Sequence, residues 1–163
     1  SLYVENDIRF TEGLNMGEDM MVMMKLFICA GKVGIVHRPF YHYRQSNPES
    51  LTKIYSQEHI IQVANNVYEV EKYVNASAYA DSLIEFIPFL KLNIKLPLLI
   101  TDDKSHYEQW LECFPEANCY VMNNKLLPLR TRIIQWMAVK RYFILLRLYY
   151  RTVFKLVYGI IYK

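Results

Sequence analysis

Apolar and polar positions follow a helical pattern early in the chain. Met20 to Ala30 is a run of strong helix formers closed by Gly31, with Glu18 and Asp19 directly before it. Acidic residues in the first turn and a glycine just past the last turn are typical of the two ends of a helix. The pattern therefore predicts a helix with both carboxylates at its start, where unpaired N–H groups and the helix dipole favour the ionised form.

A strand pattern follows this helix. Residues 32–36 read Lys-Val-Gly-Ile-Val and lie between Gly31 and Pro39, which predicts a short strand. After the proline, His42 and Arg44 alternate with tyrosines. If this stretch is extended, the side chains of His42 and Arg44 point to the same face.

The remaining two thirds of the chain have a helical period. Ser56 is a candidate N-cap, and apolar residues recur every three or four positions over 60–74. A second apolar helix is predicted over 81–96 and a short one over 101–113. From Arg132 onward the pattern predicts one long helix.

The C-terminal tail is both basic and aromatic. Its predicted helix aligns one stripe of apolar residues with a neighbouring stripe of cations, namely Leu146, Tyr150, Phe154 and Tyr158 beside Arg147, Arg151 and Lys155. A basic amphipathic helix of this kind is typical of the lipid interface, where each Lys or Arg contributes about 1 kcal/mol near an anionic surface. The alternative is a helix that packs on its own domain and leaves the basic face in water.

Composition and charge narrow the class of protein. The 163 residues are 53% hydrophobic and 21% charged, which is typical of a globular chain. The net charge of +3 hides an asymmetry, because residues 1–124 carry −6 and residues 125–163 carry +9 with no acidic residue. The three cysteines form no C-x-x-C pair, which predicts neither a zinc site nor a disulfide framework and favours a reducing compartment.

Several short motifs in the first third of the chain occur in a characteristic order. They are Phe10-Thr-Glu-Gly-Leu14, Gly17-Glu18-Asp19, the helix and strand that follow, Tyr41-His42-Tyr43-Arg44 and Ser50-Leu51-Thr52. Together they resemble the C-terminal part of a family 2 inverting glycosyltransferase of the GT-A fold. The resemblance is closest to bacterial enzymes that build capsular, exopolysaccharide or lipopolysaccharide chains.

This resemblance implies a fold and a domain organisation. We expect an α/β protein that contains only the C-terminal end of an incomplete, Rossmann-like GT-A domain, followed by a mainly α-helical extension. The expected segments are residues 1–53 for the catalytic part, 54–127 for the helical extension and 128–163 for the basic amphipathic tail.

The resemblance also implies a reaction and a catalytic base. A sugar passes from a nucleotide-sugar to an acceptor hydroxyl with inversion at the anomeric carbon, in one in-line displacement. Asp19 matches the family position of the base, and Glu18 supports it or hydrogen-bonds the acceptor. A positioned carboxylate contributes roughly 10²–10⁴-fold to such a step, and holding the two substrates in line contributes at least as much.

The leaving nucleoside diphosphate requires positive charge or hydrogen-bond donors. Arg44 matches a family position that contacts the diphosphate, and its planar fork suits phosphate oxygens. The polar loop at 45–49 can bring Ser50 back towards Arg44 as a further donor. His42 is a candidate for the diphosphate or for a metal ion.

Other parts of such an enzyme are missing from the sequence. There is no Asp-x-Asp motif for Mg²⁺ or Mn²⁺, so we expect the metal site upstream of Ser1 and no sugar transfer by this fragment alone. The expected partners are the nucleotide-sugar, a saccharide or lipid-linked acceptor and an anionic membrane surface, with no nucleic acid. The expected location is cytoplasmic, peripheral on the inner face of the bacterial cytoplasmic membrane, with Arg147, Arg151, Lys155, Tyr150 and Phe154 as membrane contacts.

A hypothesis from another class competes with the enzyme. The helical residues 56–163 are also consistent with a non-catalytic membrane-binding or interaction module. A donor-binding half in the same gene product would favour the enzyme, and its absence would favour the module.

Overall fold

A computed structural model describes residues 1–41 and 57–153, except for the side chain of Gln57. The chain divides into two compact units, residues 1–83 and residues 84–163, here called unit 1 and unit 2. The boundaries expected after residues 53 and 127 remain predictions.

The expected α/β fold is wrong. Helices hold 64% of the described residues, and neither described range contains a β-strand. Residues 32–36, predicted as a strand, are irregular and exposed, without a backbone–backbone hydrogen bond inside those ranges. A strand is stabilised by the ladder it forms with a neighbour, and no neighbouring strand is present among the described residues. The expected C-terminal end of a GT-A domain is therefore not seen there.

Unit 1 is built around two helices that pack together. Its helical elements are α1 (Leu2–Glu5), α2 (Glu18–Cys29), α3 (Gln57–Asn75) and a 3₁₀ turn at Asp81–Leu83. The helix predicted from Glu18 is confirmed as α2. Its buried residues meet a valine ridge of α3, and the core consists of Ile8, Met21, Val22, Val67, Val70 and Val74.

The apolar period predicted for α3 is confirmed. Val67, Val70 and Val74 are fully buried, at spacings of three and four residues, as a helix with one face on a core requires. The predicted N-cap, Ser56, lies outside the described residues.

Unit 2 contains four α-helices within its described part. They are α4 (Phe86–Ile94), α5 (Lys104–Glu112), α6 (Leu129–Val139) and α7 (Phe143–Tyr149), with 3₁₀ turns at Leu96–Leu99 and Pro115–Tyr120 and a π turn at 150–153. The helix predicted over 81–96 begins only at Phe86. Pro88 then falls in the first turn of α4, where its missing N–H is not needed.

Two aromatic side chains of α5 lie at the core of unit 2. Trp110 and Tyr107 of α5 are fully buried, together with Leu98, Ala138 and Leu146 from the neighbouring elements. The N-cap of α5 is Asp103, whose Oδ1 accepts the backbone N–H of Ser105 at 2.9 Å. This N-cap gives Asp103 a structural role.

The buried cation Lys95 joins two segments of unit 2. Its Nζ donates to the carbonyl of Cys113 at 2.7 Å and to Oδ1 of Asn118 at 2.5 Å, and it lies 4.0 Å from the ring centroid of Trp110. Burial lowers the pKa of Lys95 to about 8. The carbonyl, amide and ring partners offset part of the cost of burying this charge.

The prediction of one long tail helix from Arg132 is wrong, because α6 ends at Val139 and a separate helix, α7, begins at Phe143. Arg141 adopts a left-handed backbone with φ 57°. Its N–H donates to Ala138 O and the N–H of Tyr142 donates to Met137 O, both at 2.9 Å. The Tyr142 ring packs edge-on against Trp136, with centroids 5.8 Å apart. These contacts form a Schellman motif, in which glycine usually occupies the position of Arg141.

Candidate functional site

The two carboxylates named by the sequence lie at the start of α2. Gly17 precedes them with φ 79°, a left-handed conformation that glycine adopts without the strain of a side chain. Glu18 and Asp19 are the first two residues of the helix. Asp19 is exposed and Glu18 half-buried, and Oδ1 of Asp19 accepts the N–H of Met20 at 2.7 Å.

Two side chains of α3 hold the loop that leads into this helix start. The N–H of Asn15 donates to Oε1 of Gln62 at 3.0 Å, and Nδ2 of Asn66 donates to the carbonyl of Met16 at 2.7 Å. Asn66 is fully buried. The backbone just before the carboxylates is therefore fixed by the packing of α3, as a positioned acid or base requires.

The other end of α2 is also fastened to α3. The thiol of Cys29 and the hydroxyl of Tyr73 are hydrogen-bonded at 2.8 Å, and Nζ of Lys25 lies 5.5 Å from the Tyr73 ring centroid. The hydrogen bond with Cys29, aided by burial, raises the pKa of Tyr73 to about 12. The hydrogen bond between Cys29 and Tyr73 therefore holds the C-terminal end of α2 against α3.

A groove of about 560 Å³ runs along α3. Thr11 and Leu14 of the first motif form one side, and the α3 side chains at the other side include Asn65, Tyr68 and Glu69. Amide, carboxylate and hydroxyl groups beside an aromatic ring suit a ligand rich in hydroxyl groups. Glu18 and Asp19 do not line this groove.

Sequence reasoning missed the groove, although a signal was present. Asn65, Tyr68, Lys72 and Asn75 recur at helical spacing on α3 and line it. Such a polar stripe opposite the buried valines reads as an ordinary solvated face. Only the packing of the loop containing Thr11 makes it concave.

The predicted diphosphate contacts His42, Arg44 and Ser50 lie outside the described residues. Their placement relative to Asp19 remains a prediction.

The predicted membrane contacts fall in unit 2. Arg147 and Arg151 are exposed, but both contact Asp102, through its carbonyl at 3.1 Å and its carboxylate at 3.5 Å. Tyr150 is half-buried. Phe154 and Lys155 lie outside the described residues.

Leu146, the first residue of the apolar stripe that was expected to face lipid, points into the protein core instead. Leu146 is buried in the core of unit 2, whereas Ile144 is 84% exposed and Leu145 and Leu148 are also exposed. The outward apolar face of α7 is therefore offset from the predicted stripe.

The described residues provide neither a cluster of metal ligands nor a membrane-spanning helix. Within residues 1–41 and 57–153, no three His, Cys, Asp or Glu side chains come together as a metal site. The divalent cation expected from the sequence resemblance therefore has no ligand set among the described residues. No helix in the same ranges combines the length and the apolarity needed to cross a bilayer.

No protein family, curated protein or solved structure matches this chain.

Proposed function

We propose that this chain supplies the acceptor-side base of an inverting, nucleotide-sugar-dependent glycosyltransferase that works in bacterial surface-polysaccharide synthesis. The observation that carries the proposal is the Gly17-Glu18-Asp19 helix start, in the motif order described above. Its supports are the left-handed Gly17 and the exposed carboxylate of Asp19, held by a loop fastened to buried Asn66.

In the proposed step, the Asp19 carboxylate accepts the proton of the acceptor hydroxyl as that oxygen attacks the anomeric carbon. The bond from this carbon to the diphosphate oxygen breaks on the opposite face, and the nucleoside diphosphate leaves. Glu18 orients the acceptor. Arg44, Ser50 and His42 are proposed to stabilise the charge on the diphosphate.

The donor site lies outside these 163 residues under this proposal. The nucleotide pocket and an Asp-x-Asp motif for Mg²⁺ or Mn²⁺ would then belong to another part of the same gene product. The groove beside Thr11 and Tyr68 offers hydroxyl-binding groups for a saccharide acceptor.

The first experiment measures sugar transfer by the whole gene product, read as release of nucleoside diphosphate. Asp19→Asn should lower the rate at least about 100-fold, because the base is lost while its shape is kept. Asp81→Asn is the matched control, since Asp81 is also an exposed carboxylate in the first turn of a helical element of unit 1.

Equal rates for Asp19→Asn and the unmodified protein would remove Asp19 from the base role. A gene product without any donor-binding half would overturn the enzyme proposal and favour the second candidate.

The second candidate is a non-catalytic helical module that binds an anionic membrane surface, on the inner face of the cytoplasmic membrane. The outward side of α6 favours it, because Leu129, Ile133 and Trp136 form one exposed apolar stripe that ends at Lys140. The sequence has no acidic residue from 125 onward. Exposed apolar residues beside cations are typical of interfacial helices.

This placement is tested with point variants. A deletion of residues 129–163 is unsuitable as a test, because it would remove Ala138 and Leu146 from the core of unit 2. Replacing Leu129 and Ile133 by serine should shift the protein from the vesicle pellet to the supernatant in sedimentation with anionic vesicles. Unchanged sedimentation would exclude this α6 stripe as the membrane contact.

A further inference from the structure

A surface cleft of about 590 Å³ lies between the start of α5 and the α6–α7 turn of unit 2. Its inner side includes Phe143, whose ring packs on the fully buried Tyr107 with ring centroids 5.5 Å apart. Three cations line it, Lys104, Arg141 and Arg147. An aromatic floor below several cations suits a ligand that is both anionic and partly apolar.

The three cations differ in their partners. Nζ of Lys104 lies 3.3 Å from the carboxylate of Glu108, and Nε of Arg147 donates to the carbonyl of Asp102. The exposed guanidinium of Arg141 has no hydrogen bond or ion pair to any residue within the described ranges. Arg141 is therefore the cation that is available for an external anion.

The backbone of Arg141 adds a second, independent observation. A side chain in the left-handed region strains the backbone, and the position that Arg141 occupies in the Schellman turn is usually a glycine. A strained position that keeps a long cation at the edge of a cleft is typical of a functional site.

Apolar surface continues outward from the cleft. Tyr142 and Leu145 line it and are about half exposed, and Tyr142 contacts Trp136 of the α6 stripe. A free phosphate would gain nothing from this surface. A phosphate carried on a lipid would bring acyl chains next to it, so the combination favours a lipid headgroup.

We propose that this cleft binds the phosphate headgroup of an anionic bilayer lipid, with Arg141 as its main contact and Lys104 and Arg147 beside it. The guanidinium fork pairs with the phosphate oxygens, while Tyr142 and Leu145 face the upper acyl region. The inference rests on the proposed membrane contact, not on sugar transfer. It goes beyond that membrane contact, because diffuse attraction between cations and a membrane surface requires no cleft, whereas a headgroup site does.

The test compares two variants with the same charge change. Arg130 is exposed in the same acid-free region but does not line the cleft. Binding of the 163-residue chain is measured on phosphatidylcholine vesicles that contain about a fifth of phosphatidylglycerol, where Arg130→Gln should weaken binding about fivefold by diffuse attraction alone. Arg141→Gln should weaken it by about 10- to 100-fold, because a charged hydrogen bond is also lost.

A third variant separates the site from the fold. Arg141→Gly relieves the backbone strain, so it should fold at least as well and still lose as much vesicle binding as Arg141→Gln. Equal losses for Arg130→Gln and Arg141→Gln would overturn the headgroup site and leave only diffuse attraction.

Two further outcomes would also overturn the site. Binding of inorganic phosphate that depends on Arg141, without vesicle binding, would replace the lipid by a free anion. No vesicle binding by the unmodified chain would overturn the site together with the membrane placement. Sugar transfer by the gene product, assayed separately, would be untouched by either result.

Discussion

The two units of the chain differ in which apolar side chains they bury and which they leave exposed. In unit 2 Trp110 is fully buried, and Leu92, Leu98 and Leu146 are equally inaccessible. In unit 1 the tract at 31–41 carries exposed apolar residues, among them Ile35 at 80% and Val36 at 68% exposed. Both units bury a core, but the core of unit 2 contains a tryptophan, whereas unit 1 leaves a tract with β-branched residues in water.

This difference indicates where each unit obtains its stability. A buried tryptophan contributes several kcal/mol, whereas an exposed isoleucine contributes almost nothing to its own fold. The core around Trp110 in unit 2 therefore contributes more to stability than the exposed tract of unit 1 does.

The largest expected effect tests this contrast directly. Trp110→Ala should lower the free energy of unfolding of unit 2 by about 3–5 kcal/mol, through lost burial and a cavity. Ile35→Ala in unit 1 should change stability by less than about 0.5 kcal/mol. Urea unfolding measures both.

Tryptophan fluorescence isolates unit 2, because Trp110 and Trp136 are the two tryptophans of the chain. Trp136 remains as the probe in Trp110→Ala, and circular dichroism follows Ile35→Ala. A loss above about 2 kcal/mol for Ile35→Ala would mean that its tract is packed, and the contrast between the units would disappear.

The second prediction concerns how much the buried Lys95 contributes to the stability of unit 2. Lys95→Met keeps the volume but leaves the carbonyl of Cys113 and the amide of Asn118 without their donor, which should cost about 1–3 kcal/mol at neutral pH. The pKa of about 8 for Lys95 in the folded state lies below the ordinary lysine value of 10.5. Between these values the unfolded state holds more protons, so Lys95 favours folding increasingly as pH rises.

The cost of Lys95→Met should therefore be larger at alkaline pH than at neutral pH. Urea unfolding of the unmodified chain and of the variant, measured at both ends of this interval, gives the difference free of the other groups that titrate in both. A cost that stays constant or shrinks with pH would mean that burial does not lower the pKa of Lys95.

Some elements of this fold could be predicted from the sequence and others could not, for a different physical reason in each case. The helix α2 was predictable because Glu18, Asp19 and Gly31 mark its ends locally. The strand at 32–36 was not, since a strand pattern gives no information about whether a partner is present. The motif at Gly17 located the carboxylates, but the cleft near Arg141 depends on tertiary packing that periodicity does not encode.

The break between α6 and α7 shows the same limit at one residue. Helix ends are recognised by glycine or proline, and neither occurs between Val139 and Phe143. The contact of Trp136 with Tyr142 and the two backbone bonds of the Schellman motif stabilise the turn in spite of Arg141. A local rule was overridden by packing, at a cost in backbone strain.

The smallest predicted effect measures that strain. Arg141→Gly should raise the stability of unit 2 by about 0.5–1 kcal/mol, because relief of the left-handed strain exceeds the added entropy of the unfolded chain. Arg130→Gly, inside α6, is the matched control and should lower stability by about 0.5–1 kcal/mol. Both are followed by urea unfolding with tryptophan fluorescence. Destabilisation by both variants would mean that α6 and α7 form one continuous helix in solution, whereas opposite signs would establish the turn at Arg141, on which the lipid cleft depends.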